Sequence, residues 1–289
     1  MVAPGAHSRK RAITMANYTS ADIKALREST GSGMMDVKRA LDEADGDHDK
    51  ATEILRIKGL KGVTKREGRT AANGLVAAQA GNGVGTLVEV NCETDFVAKG
   101  DTFIALAGQV LNQAVTVGAS SADELLASDM GGKTVQEVLD DANATIGEKI
   151  EVRRVARLQA PHVVSYLHKT SPDLPPQIGV LMATEGGDEV TARDIAMHIA
   201  AFSPSVLTRD EIDAETVENE RRVAEATAKE EGKPEAALAR IIEGRLNGFF
   251  KENVLLEQAF AKDAKKSVAK VLQESGATAK AFARFRVGS

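Results

Sequence analysis

One short stretch gathers most of the residues whose types could do chemistry. Asn91-Cys92-Glu93-Thr94-Asp95-Phe96-Val97-Ala98-Lys99 leaves an apolar run and sets a carboxylate beside a phenyl ring, where a turn into the next helix is expected. Two readings apply. In one, Phe96 packs inward and Asp95 caps the turn. In the other, Phe96 is a wedge and Asp95 a carboxylate, both displayed to a partner. Cys92 and a distant histidine could in principle form a nucleophile pair. However, Cys92 follows an apolar strand, where a free thiol usually behaves as a small buried hydrophobe. The five histidines, His7, His48, His162, His168 and His198, show no metal-ligand spacing. Gly132-Lys133-Thr134 matches the end of a phosphate-binding loop, yet Ala127 stands at its first glycine position and no strand precedes it. Gly81, Gly83 and Gly85 imitate a dinucleotide loop, but a strand follows them and not a helix. No enzyme signature survives, and neither a metal nor a cofactor is expected.

The elements that must position these residues fall into a few regions. Residues 1–14 have no apolar period and are expected to be a disordered leader, lacking the apolar run of a secretory signal. Residues 15–58 read as a three-helix domain. Thr19 and Asp22 resemble a capping box, Gly31 and Gly33 stop the first helix, Gly46 ends the second and the third stops near Gly59. Residues 59–73, with Lys58, Lys61, Lys65, Arg66 and Arg69 around glycines, read as a basic linker.

From Gly74 the period changes to that of strands. Leu75–Ala80 and Val84–Val90 flank Gly81-Asn82-Gly83 and predict a β-hairpin. A helix through Phe103, Leu106, Val110 and Ala114 follows, then a helical stretch over 135–144 and a strand over 150–159. The order then repeats. Strands over 162–168 and 178–182 precede a helix through Ile195, Ile199 and Phe202, and the chain ends with a helix over 267–273 and a strand over 282–287. This predicts two related α+β subdomains, 74–160 and 161–289. Inside the second, Gly232-Lys233-Pro234 interrupts two helical stretches over about 210–248, which reads as a protruding helical hairpin.

Composition narrows the function classes. The chain has 289 residues, 43% apolar and 27% charged, as in an ordinary soluble globular protein. Eight Phe, two Tyr and no Trp leave little aromatic surface for stacking bases. A net charge of −5 lacks the basic footprint of a nucleic-acid binder. Nothing is long and apolar enough to span a membrane, and a single cysteine forms no intramolecular disulfide. A cytoplasmic protein is expected. Residues 1–70 hold 14 basic and 10 acidic residues, leaving 23 and 32 to the rest, an asymmetry that hints at two contact surfaces.

Three motifs together resemble the bacterial elongation factor Ts family. They are Leu26-Arg27-x-x-Thr30-Gly31-x-Gly33-Met34-Met35-Asp36-x-Lys38, Glu89 through Val97, and Ile195-Ala196-Met197-His198. The resemblance runs from Met15 to Gly288. It implies an α+β fold: an N-terminal three-helix bundle like a ubiquitin-associated domain, then a core of two related subdomains with small antiparallel sheets and an inserted helical hairpin. It implies a guanine-nucleotide exchange factor for elongation factor Tu, bound as a heterodimer or higher complex, with no direct nucleic-acid contact. Thr94, Asp95, Phe96 and Val97 match the segment associated with displacing Mg²⁺ from the GTPase, the Phe ring entering between GTPase helices. Met34, Met35 and Lys38 match N-terminal contact positions, and His198 a contact position on the core. Two departures stand out. The sequence ends at Gly288-Ser289, so the contact made by the helical C-terminal module of some members is expected to be absent, and the loop 169–177 looks longer than in short members. A passive binding module that leaves nucleotide affinity unchanged is the alternative reading.

Overall fold

A capping box opens the first helix. The backbone N–H of Thr19 donates to Oδ2 of Asp22 at 2.6 Å, and the N–H of Asp22 returns to Oγ1 of Thr19 at 3.2 Å. The computed structural model describes residues 17–30, 32–66 and 68–289. The expectations for the leader 1–14, for Gly31 as a helix stop, and for the side chains of Lys61 and Lys65 lie outside the described residues. Of the described residues, those up to Gly68 together with Leu139–Glu148 form one unit, and Arg69–Val138 with Lys149–Ser289 form a second.

In the first unit, α1 (Ser20–Thr30), α2 (Met34–Glu43) and α3 (His48–Arg66) pack around Leu26, Val37, Leu41, Ala51 and Leu55. The third helix does not stop at Gly59. It continues to Arg66, so the stretch expected as linker begins as helix. A Cβ on Gly59 would lie 2.5 Å from the Cβ of Ala144. The glycine therefore permits a close approach and is no terminator. Arg66 Nη2 reinforces the contact by donating to the Asn143 carbonyl at 2.9 Å.

The second unit contains two three-stranded antiparallel sheets. In the first, β1 (Asn73–Gly81), β2 (Val84–Cys92) and β3 (Glu151–Gln159) lie in chain order. Asn82 and Gly83, at φ 51° and 75°, join β1 to β2 in the doubly left-handed turn that suits a two-residue hairpin. Between β2 and β3 come α4 (Asp95–Ala98), α5 (Asp101–Val117), α6 (Ala122–Ala127) and α7 (Val135–Ile146). In the other sheet, β4 (His162–His168) pairs with β5 (Ile178–Glu185), and the chain's last strand joins the free side of β5. The expected repeat is therefore real at the level of topology. Each sheet is a hairpin whose second strand is central, followed by a long helix and closed by a late strand. Each central strand even shifts register near its end, at Glu89/Val90 and at Ala183/Thr184.

After β5 come α8 (Glu189–Phe202), α9 (Ala214–Glu230), α10 (Glu235–Asn253), a short β6–β7 pair (Ala259–Phe260, Asp263–Ser267), α11 (Val268–Ser275) and β8 (Thr278–Arg286). Helices α9 and α10 pack as a pair, with Gly232 at φ +68° in the break and Pro234 capping α10. The second helix runs past the expected end near 248, because Phe249, Phe250 and Val254 pack with Val206, Ile212 and Val217. Val76, Leu87, Leu181 and Phe285 form a shared core of the two sheets. Helix α5 packs on β1 and β2, and α8 on β4 and β5. The fold is thus α+β, with a helical N-terminal region and small antiparallel sheets. No helix among the described residues is long and apolar enough to cross a membrane.

Candidate functional site

The end of β2 shapes the segment Thr94–Val97. Cys92 is the last paired residue, opposite Asn73, and is fully buried. Its thiol donates to the Thr94 carbonyl at 3.2 Å. Thr94 then caps α4, its Oγ1 accepting the Val97 N–H at 3.3 Å. The cap is Thr94 and not Asp95, which sits in the first turn of the helix, where a carboxylate favours the helix dipole. Ala98 is buried and Val97 half-buried, so they hold the turn against the sheet. Phe96 points the other way and is 78% exposed. Of the two readings of this segment, the structure has the displayed ring and not the packed one. Asp95 pairs with Lys99 at 3.2 Å on the open surface, a contact worth little by itself. Gly100 closes the tip by donating to the Val97 carbonyl at 2.9 Å, and α5 starts at once.

In the N-terminal unit, Met34 and Met35 open α2 and are 57% and 63% exposed. Val37, Ala40 and Leu41 are buried, while Met34, Met35 and Lys38 are exposed. Two unbranched thioethers beside a lysine form an adaptable apolar spot with a cationic edge. Asp36 in the same turn is held by Arg39 at 2.5 Å.

His198 is placed differently from a surface contact: it is buried, 1% exposed. Its Nδ1 accepts the Ala261 N–H at 3.1 Å and its Nε2 lies 2.8 Å from Oε1 of Gln258. Burial holds the imidazole below its ordinary pKa, with the Gln258 hydrogen bond opposing. The ring stacks under Phe202 at a centroid distance of 4.7 Å, and Phe202 is 53% exposed. His198 therefore shapes a surface by supporting Phe202. Beside it lies a cleft of about 420 Å³ walled by Tyr166, His168, Met197, Lys262, Arg284 and Arg286. None of these except Met197 belongs to a motif singled out from the sequence. The signal for Tyr166, His168, Arg284 and Arg286 is strand alternation, which puts each pair at i and i+2, while Lys262 lies in the turn between β6 and β7. Burial and the neighbouring Arg286 and Arg154 lower the Arg284 pKa, as expected where cations converge.

The remaining motif candidates are structural. Thr134 forms a capping box with Glu137 at the start of α7, its N–H donating to Oε2 at 2.8 Å, so Gly132-Lys133-Thr134 is a turn into a helix. Among the described residues, no three His, Cys, Asp or Glu side chains group as a metal site.

The family model described as "Elongation factor TS" matches residues 93–289, a span that begins at the exposed tip. A relative from Pseudarthrobacter chlorophenolicus, "Elongation factor Ts", is 62% identical over 278 residues, covering 95% of this chain and 100% of its own. Relatives of the same name from Kineococcus radiotolerans and Micrococcus luteus are 60% and 61% identical over 275 and 278 residues, with the same coverage. Similarity of that depth, running end to end in the relatives, means that the chain belongs to the elongation factor Ts family of translation factors.

Proposed function

We propose that the chain is a guanine-nucleotide exchange factor that binds elongation factor Tu in its GDP form, displaces Mg²⁺ and promotes GDP release so that GTP can bind. The exposure of Phe96 on a braced, one-turn helix carries this reading. An exchange factor needs no acid, base or nucleophile. It must bind the nucleotide-free GTPase more tightly than the GDP form, and the coupling is reciprocal: the factor weakens GDP as much as GDP weakens the factor. Each tenfold loss of GDP affinity requires about 1.4 kcal/mol of differential interaction. Burying one phenyl side chain supplies about 1.5–3 kcal/mol, and Phe96 begins with 78% of its surface in water. Inserted only where the GTPase has opened, the ring stabilises the opened state alone. Asp95, beside it, adds a carboxylate for the partner's cations or amides. Met34, Met35 and Lys38 supply a second grip on the N-terminal unit. The site of action is the cytoplasm, where translation takes place.

The test is release of a fluorescent GDP from elongation factor Tu. The chain is expected to accelerate release, and Phe96→Ala to remove most of the acceleration while binding persists. Unchanged stimulation by Phe96→Ala would falsify the wedge, and binding of the wild type without faster release would favour a passive module.

A further inference from the structure

A tip that inserts must hold its shape beforehand, because ordering it on contact subtracts from the interaction. Asp95 and Phe96 supply little of that order themselves: one is in an open surface pair and the other faces water. The residue before the cap is tied on three sides. Oε1 of Glu93 accepts the backbone N–H of Lys149 at 2.7 Å. Nη1 of Arg69 lies 3.3 and 3.2 Å from its two carboxylate oxygens. Its carbonyl accepts Nδ2 of Asn73 at 2.8 Å. Segments ahead of β1, at the start of β1 and ahead of β3 thus meet on one residue, two positions before Asp95. The Glu93 side chain is only 19% exposed, so its charge-assisted bonds are partly shielded from water.

We infer that Glu93 is a positioning residue for nucleotide exchange: it acts through Phe96 by fixing the direction in which α4 leaves the sheet. This rests on the exchange-factor reading above. Without Glu93, β2 still ends at Cys92 and Thr94 still caps α4, but the helix is no longer anchored to the Lys149 amide. The partner is then gripped as before, at Met34, Met35 and Lys38, while the ring enters less often.

Stimulated release of fluorescent GDP is followed against concentration of the full chain. Glu93→Ala is expected to lower the maximal rate about tenfold, equivalent to about 1.4 kcal/mol, with the half-saturating concentration within about twofold of wild type. Glu93→Gln, which keeps an acceptor for the Lys149 amide, retains at least about half of the maximal rate. In a Phe96→Ala background, Glu93→Ala adds no further loss, since the two residues act as one unit. A purely structural residue would instead lower the active fraction and add its loss in either background. A maximal rate for Glu93→Ala within about twofold of wild type, or a full additional loss on top of Phe96→Ala, overturns the inference. Should Glu93→Ala fail to fold by circular dichroism, Glu93→Asp, one methylene short of the amide, is scored by the same two criteria. Failure of the wild-type chain to stimulate release at all is a separate result, which removes the exchange reading itself.

Discussion

Nε2–H of His198 donates to Oε1 of Gln258 across 2.8 Å, with both side chains buried. The tautomer follows from the other ring nitrogen: Nδ1 accepts the Ala261 N–H, so the proton sits on Nε2. A second proton on this ring would break that bond and bury a charge. The folded pKa is accordingly depressed, while the unfolded chain titrates near the ordinary value of 6.5. Unfolding below that value takes up a proton. Stability is therefore full above the unfolded pKa and declines as pH falls from there toward the folded pKa. The urea midpoint of the wild type is expected to fall more between about pH 8 and about pH 5.5 than that of His198→Gln. Equal declines would mean that the ring titrates alike in both states.

Gly179 in β5 lies where the two sheets approach. A Cβ there would sit 2.5 Å from Cγ1 of Val76 and 2.8 Å from Cδ1 of Leu87. Neither neighbour is the free end of a long side chain, so Gly179→Ala is expected to cost about 1–3 kcal/mol by overpacking. Gly108, inside α5, has nothing within 4 Å of the same position. There alanine only restores helix propensity, and Gly108→Ala is expected to gain about 0.5–1 kcal/mol. Urea unfolding of the two variants gives opposite signs on this account. Tolerance of Gly179→Ala would mean that the sheets separate easily.

These contrasts mark what was legible in the sequence. Strands β1, β2, β4 and β5 follow local signals: short apolar runs, and Asn82-Gly83 at the turn. Helices α5 and α8 follow from apolar spacing, and the fold class comes with them. The extension of α3 was not legible, because Gly59 is explained by Ala144, far along the chain. The β6–β7 pair escaped notice because Asp263–Ser267 carries no apolar alternation. Of the candidate site, the stretch was legible but its geometry was not. Nothing local distinguishes an inward Phe96 from an outward one, since the answer depends on whether Val97 and Ala98 take the inner side. His198 did carry a usable signal. It lies three residues after Ile195, beside Ile199, on the buried face of α8.

Glu89 is a further residue whose role depends on distant partners. It stands in an apolar strand, fully buried, with its Oε2 bound by Arg154 Nε at 2.7 Å and Nη2 at 2.5 Å. Its Oε1 accepts the Gly288 N–H at 3.3 Å, and Arg154 Nη2 also donates to the Arg286 carbonyl at 2.9 Å. The pair fastens the end of β8 to the first sheet. Removing only the cation leaves a carboxylate in the core without its counter-charge, at a cost of about 3–5 kcal/mol. Arg154→Met is therefore expected to destabilise more than Glu89→Gln, which removes the charge together with the need to neutralise it. A larger loss for Glu89→Gln in denaturant unfolding would contradict that order.

Phe96 and Phe103 lie close in sequence and are opposite in environment, at 78% and 1% exposed. Phe103→Ala empties a packed site between α5 and its sheet and is expected to cost about 3–5 kcal/mol. Phe96→Ala removes a ring that touches mainly water, and its unfolding midpoint is expected to shift by no more than about 0.5 kcal/mol. This near-silence is what makes Phe96 informative in the GDP-release assay. A variant that folds like wild type but no longer speeds release has lost an interaction made with the partner. Were Phe96→Ala as destabilising as Phe103→Ala, the ring would be packed inward in solution. Its effect on release would then be a folding defect, and the wedge would lose its support.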